Sequence, residues 1–113
     1  MKVKLKIESK AFKRDLEVEF DWNLPVLPRM GEVVSPNIIM SNMIDIESTL
    51  NNLSYDGRKD FDAYSEGKQE KNDVFYTWLW EIINQVNIVR SVHYEIDKGN
   101  SIQIYPIIYL SDE

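Results

Sequence analysis

The sequence predicts an α+β domain. Two antiparallel β-hairpins, one near each end of the chain, form one sheet or a small barrel, with two central helices packed on one face. Three observations carry this. Residues 2–7 and 16–22 alternate apolar with charged side chains, the period of a strand with one buried and one wet face. Residues 73–86 place apolar side chains three and four apart, the period of a helix. Two runs rich in β-branched and aromatic residues, 87–96 and 101–110, flank Asp97-Lys98-Gly99-Asn100.

The first hairpin can be read down to its register. Pairing Val3 with Phe20, Leu5 with Val18 and Ile7 with Leu16 puts the apolar set on one face. The same register sets Lys2 against Asp21, Lys4 against Glu19 and Lys6 against Glu17 on the other. Opposite charges across strands favour it by roughly 0.2–1 kcal/mol per pair. Residues 1–14 hold six basic side chains and one acid, while the remainder holds seven bases and eighteen acids. That basic start reads as a neutralised sheet surface rather than a nucleic-acid arm.

Asp21 to Val34 (DWNLPVLPRMGEVV) then leaves the strand. Pro25 and Pro28 cannot donate to a ladder and bias Leu24 and Leu27 towards extended backbone. Gly31 permits a turn of positive φ. The stretch reads as a corner between layers or of a small barrel, an architectural turn rather than a grip on a ligand.

Ser35-Pro36 suits an N-cap and a first helical position. Ile39, Met43, Ile46, Leu50 and Leu53 follow at helical spacing, so one helix is expected from Pro36 to Asn52, with Met40 and Ile44 off its stripe. Residues 54–72 are polar with two glycines and read as a long exposed loop tacked down by Phe61 and Tyr64. Asp73 can cap a second helix, in which Phe75, Leu79, Ile82 and Val86 centre the core face. Trp80 falls on the opposite side with Thr77, Glu81 and Asn84, and Tyr76 flanks it. The last two runs form a hairpin around Lys98-Gly99-Asn100. Ile96 is set opposite Ile102, Tyr94 opposite Ile104, Val92 opposite Pro106, Glu95 opposite Gln103 and His93 opposite Tyr105. Pro106 suggests that the final strand lies at a sheet edge or carries a bulge.

Residues 1–113 read as a single domain. Apolar residues at 43% and charged residues at 28% fit an ordinary globular chain. The net charge of -6 speaks against nucleic-acid binding. No cysteine is present, which removes disulfides, thiolate nucleophiles and zinc–thiolate clusters. No apolar run suits an export signal or a membrane span, so the expectation is a cytoplasmic protein with no membrane partner.

Catalytic chemistry finds little support. His93 is the one histidine and sits mid-strand, where packing is the ordinary role. Asn52, Ser54, Asp56 and Asp60 fall at the first, third, fifth and ninth positions of a calcium loop. The twelfth is Ala63 in place of the bidentate Glu, so no metal is expected. Asp60/Asp62 and Glu95/Asp97 are paired carboxylates in polar surroundings, and a general acid needs apolar burial. No phosphate-cradling or nucleophile-elbow motif occurs, and no cofactor is implied. No specific function follows. The reading that fits best is a non-enzymatic accessory domain that binds a protein partner or its own copy through Trp80, Tyr76, Met40 and Ile44, with the edge-like final strand open to extension. The alternative is a small-molecule binder or small enzyme with a pocket under the 54–72 loop, lined by Tyr55, Arg58, Tyr64, Arg90 and Tyr105, with Tyr109 beside them.

Overall fold

The computed structural model of the chain describes residues 1–42, 45–99 and 102–112. Eight elements follow in order: β1 (Lys2–Ile7), β2 (Leu16–Asp21), α1 (Pro36–Ser41), α2 (Ile46–Asn51), α3 (Tyr55–Ser65), α4 (Lys71–Ile83), β3 (Ile88–Lys98) and β4 (Ile102–Ser111). The strands make one mixed sheet in the order β2-β1-β4-β3. The α+β class is as the periodicities predict. The sheet stays open, with β2 and β3 as its edges, and is not a barrel.

β1 and β2 pair in the register that their charges specify, from Lys2–Asp21 to Ile7–Leu16. Lys2 and Lys4 both reach Glu19 at 3.4 Å, and Lys6 reaches Glu17 at 3.5 Å. β4 pairs parallel to β1, Lys4 to Ile107 through Ile7 to Leu110, so the first and last strands are the two central ones. Pro106 is therefore on a central strand, correcting the edge reading. The proline is tolerated because of where its nitrogen points. The Leu110 carbonyl accepts from Glu8 N–H at 2.9 Å, so even-numbered residues of β4 turn their backbone towards β1. Pro106 also faces β1, one step before the parallel ladder begins.

The second hairpin pairs Ile96 with Ile104, Glu95 with Tyr105, Tyr94 with Pro106 and His93 with Ile107, two residues away from the expected register. A shift of two leaves every side chain on its own face, so alternation cannot distinguish the two registers. A bulge between Val89 and Ser91 restores the inward direction of Val89. The loop residues Asn100 and Ser101 lie outside the described residues.

The stretch expected to form one helix forms two. The Asn42 side chain donates to Ile38 O at 2.8 Å and ends α1, and the Asp45 carboxylate accepts from Ser48 N–H at 3.1 Å and starts α2. Asn and Asp compete with a continuing helix in this way. The 54–72 segment is mainly α3 rather than a loop. Ser54 Oγ accepts from Gly57 N–H at 3.0 Å as its N-cap. Gly57 lets α3 lie against the loop between β1 and β2, since a Cβ there would overlap the Ala11 carbonyl. Ser54 N–H donates to Ala11 O, Ser54 Oγ to Lys10 O and Lys13 N–H to Asn52 O, which complete that clamp. α4 begins at Lys71, ahead of Asp73, which sits in its first turn.

The four described helices pack on one face of the sheet. Leu5, Ile7, Val18, Val89, Ile108 and Leu110 meet Ile39, Phe61, Phe75, Trp78, Leu79 and Ile83 in one buried cluster. Phe61 packs on Phe75 and Trp78 with centroids 5.1 and 5.3 Å apart. Asp60 accepts from Trp78 Nε1 at 2.8 Å. α3 thus tightens the core through Trp78 and not through Trp80.

The corner also acts beyond a turn. Trp22 Nε1 donates to Val26 O at 3.0 Å, Gly31 adopts φ 87°, and the chain then runs along the edge of β3. Gly31 N–H donates to Val89 O and Val89 N–H to Glu32 O, both at 2.8 Å, and Val33 bridges Ile88. The stretch turns the chain out of β2 and covers one end of an open edge.

Candidate functional site: the groove between α1 and α4

α4 buries Phe75, Trp78, Leu79 and Ile83 against the sheet, which leaves Tyr76, Thr77, Trp80 and Glu81 on its far side. α1 packs beside it and buries Ile39 and Met40. Between the two runs a groove of about 370 Å³, with Met40 buried in its lining and Trp80, Tyr76 and Thr77 on α4 facing Asn37 and Ser41 on α1. Trp80 is 37% exposed and Tyr76 39%. The indole is held in place: Trp80 Nε1 donates to Asn37 Oδ1 at 2.9 Å. A fixed aromatic with one apolar face open loses little side-chain entropy on binding.

Of the four residues expected at an interaction surface, Trp80, Tyr76 and Met40 thus line one groove. Ile44 lies outside the described residues. Sequence reasoning missed Asn37. Its signal was its place three residues before Met40 and four before Ser41, on the side of α1 that the apolar stripe leaves free.

The residues expected to line a pocket are not brought together. Tyr55 is exposed at the start of α3. Arg58 Nη2 donates to Leu50 O at 3.3 Å, Lys68 Nζ lies 3.6 Å from the centroid of the Tyr64 ring, and Arg90 Nη1 donates to Ser111 Oγ at 3.2 Å. Tyr105 and Tyr109 belong to the opposite, helix-free face of the sheet, where Lys4 and Lys6 reach their rings. The sheet stands between these two tyrosines and α3. The space expected beneath a 54–72 loop is filled by Phe61 and its neighbours.

The helix-free face carries the charge chemistry. Burial pulls the pKa of the Lys4 ammonium down, but the hydrogen bond that it donates to Glu19 and the charges of Glu17, Tyr105 and Glu19 outweigh this, leaving Lys4 above its ordinary 10.5. His93 sits on the same face and packs against Tyr109, with ring centroids 4.9 Å apart and the rings steeply inclined. Three of the four side chains that resemble part of a calcium loop are engaged elsewhere. Asn52 binds the backbone of Arg14, Ser54 caps α3 and Asp60 holds Trp78. Among the described residues no three His, Asp or Glu side chains converge as a metal site.

A second groove of about 520 Å³ lies between the β2 edge and α2. Its lining mixes Leu16 and Val18 with the acids Asp15, Glu17, Glu19 and Asp45 and with Arg14 and Asn52. It has no aromatic anchor, and it suits solvent more than a protein side chain. Among the described residues, no helix is long and apolar enough to cross a membrane. Comparison of the chain with protein families, curated proteins and solved structures found no match.

Proposed function

We propose that this chain is a non-enzymatic interaction domain that binds a protein partner in the groove between α1 and α4. The observation that carries this reading is the half-exposed Trp80 and Tyr76 beside buried Met40, with the indole oriented by Asn37. Partly exposed aromatics around an apolar concavity, rimmed by polar groups, have the composition of a binding hot spot. Here the rim is Asn37, Ser41, Thr77 and Glu81. The matching partner segment presents an apolar side chain to Met40 and Trp80 and polar groups to the rim.

The test is Trp80→Ala, with complexes purified gently from the source cells and weighed by native mass spectrometry. The variant is expected to fold cooperatively and to lose a protein that the wild type retains, weakened by about 2 kcal/mol or more. Equal retention by both chains, or a variant that no longer unfolds cooperatively, would sink the reading.

A further inference from the structure

The longest strand among the described residues lies at an open edge. β3 has eleven residues, and the corner covers it only at Ile88 and Val89. From Ser91 to Asp97, β4 is its one backbone partner among the described residues. Edge strands in monomers are usually short, bulged, charged or covered, because a free ladder is a template for another strand. Here the bulge and the cover sit together at one end, and the remaining stretch is unbulged and free of proline, with Glu95 and Asp97 on one face and Val92, Tyr94 and Ile96 on the other.

The direction of the free groups follows from β4. Its odd-numbered residues face β3, so Ser91, His93, Glu95 and Asp97 direct their backbone groups inward to the existing ladder. Val92, Tyr94 and Ile96 direct theirs outward. Their side chains lie on the helix side of the sheet, where Val92 packs against the core. Tyr94 is 65% exposed and Ile96 54%, with Ile104 beside Ile96 at 69%.

We propose that two copies of this chain pair antiparallel along β3, centred on Tyr94, to form a symmetric dimer with one continuous eight-stranded sheet. The register comes from two independent features. The open stretch, bounded by the corner at Val89 and the end of β3 at Lys98, has Tyr94 as its midpoint. Centring on Tyr94 also makes the strand complementary to itself. Tyr94 faces the partner's Tyr94 and Val92 faces the partner's Ile96, which covers the exposed apolar row. On the other face His93 meets the partner's Glu95, and Ser91 meets the partner's Asp97. Shifting the centre to Glu95 or to His93 stacks that residue on its own copy and loses the His–Glu pairing. An isologous interface asks for this self-complementarity, and main-chain bonds from Val92, Tyr94 and Ile96 supply its ladder. This surface is separate from the α1–α4 groove and does not depend on it.

The test uses the full chain, with sedimentation velocity over a wide concentration range and residue-resolved amide exchange. The wild type is expected to dimerise, with exchange at Val92, Tyr94 and Ile96 slowing as concentration rises. Tyr94→Pro removes an outward N–H that β4 does not use. It should weaken dimerisation at least tenfold, by about 1.4 kcal/mol. Glu95→Lys should weaken it too, and His93→Glu combined with Glu95→Lys should restore it. Trp80→Ala should leave it unchanged. A wild type that stays monomeric throughout, a dimer indifferent to Tyr94→Pro, or a dimer whose concentration-dependent protection lies away from β3 would overturn the proposal.

Discussion

The two hairpins of this sheet are built from the same alternation, yet one is closed to further pairing and the other is not. The β1–β2 hairpin has short strands, with Lys2, Lys4 and Lys6 matched to Glu17 and Glu19, and its loop is clamped by α3. Its outer strand, β2, would set Glu17, Glu19 and Asp21 against copies of themselves in any antiparallel self-pairing. The β3–β4 hairpin is longer, and the helix side of its outer strand leaves Tyr94 and Ile96 exposed beside Ile104. The difference teaches that charge pattern does two jobs in a sheet. It selects the register inside a hairpin, and on an edge it rejects unwanted partners.

The clamp should give the largest effect. Gly57→Ala places a Cβ on the Ala11 carbonyl, so α3 and the loop of the first hairpin must separate. A loss of about 3 kcal/mol is expected by chemical denaturation. Gly99→Ala in the second hairpin meets nothing closer than Asp97 Oδ1 at 3.6 Å and should stay within about 0.5 kcal/mol. Equal costs for the two would remove the contrast between a clamped and a free hairpin.

A smaller effect is expected from Glu19→Lys, which takes away the partner of both Lys2 and Lys4. These pairs are half-exposed, so about 1 kcal/mol is the expected loss, diminishing in high salt. If stability is unchanged at low salt, the charges do not hold the register.

The smallest effect at neutral pH comes from Lys4. Its folded pKa lies above the ordinary 10.5, so the stabilisation it contributes is complete below that value and is lost as pH rises through the folded pKa. Thermal unfolding of wild type and Lys4→Met should therefore converge above pH 10.5 and not near neutrality. A gap between them that is the same at pH 7 and pH 11 would assign Lys4 a packing role alone.

Much of the fold was legible where two independent signals agreed. In the first hairpin the apolar face and the charged face demand one register, and the structure has it. On α4 the apolar spacing is long enough to place Trp80 and Tyr76 outward, as found. A single signal fell short elsewhere. Alternation alone left the second hairpin open to a two-residue shift. The apolar stripe from Ile39 to Leu53 suggested one helix because it did not register that Asn42 and Asp45 cap better than they continue. The polar stretch 54–65 hid a helix because its stability comes from contacts far away in sequence: Ser54 and Gly57 on the β1–β2 loop, Phe61 and Asp60 on Trp78. The candidate groove was legible by half, with Trp80, Tyr76 and Met40 foreseeable from their helical faces, while Asn37, marked only by its place on the free side of α1, could be matched to Trp80 only once α1 and α4 were packed.

The sequence by itself determined the α+β class, the first hairpin's register and the outward face of α4, because these depend on periodicities and pairings between residues close along the chain. The tertiary structure decided which strands are central and which lie at the edges. β1 pairs parallel with β4 across nearly the whole length of the chain, and no local pattern encodes a partner that distant. That one long-range choice puts Pro106 in the middle of the sheet and leaves β3 at its rim.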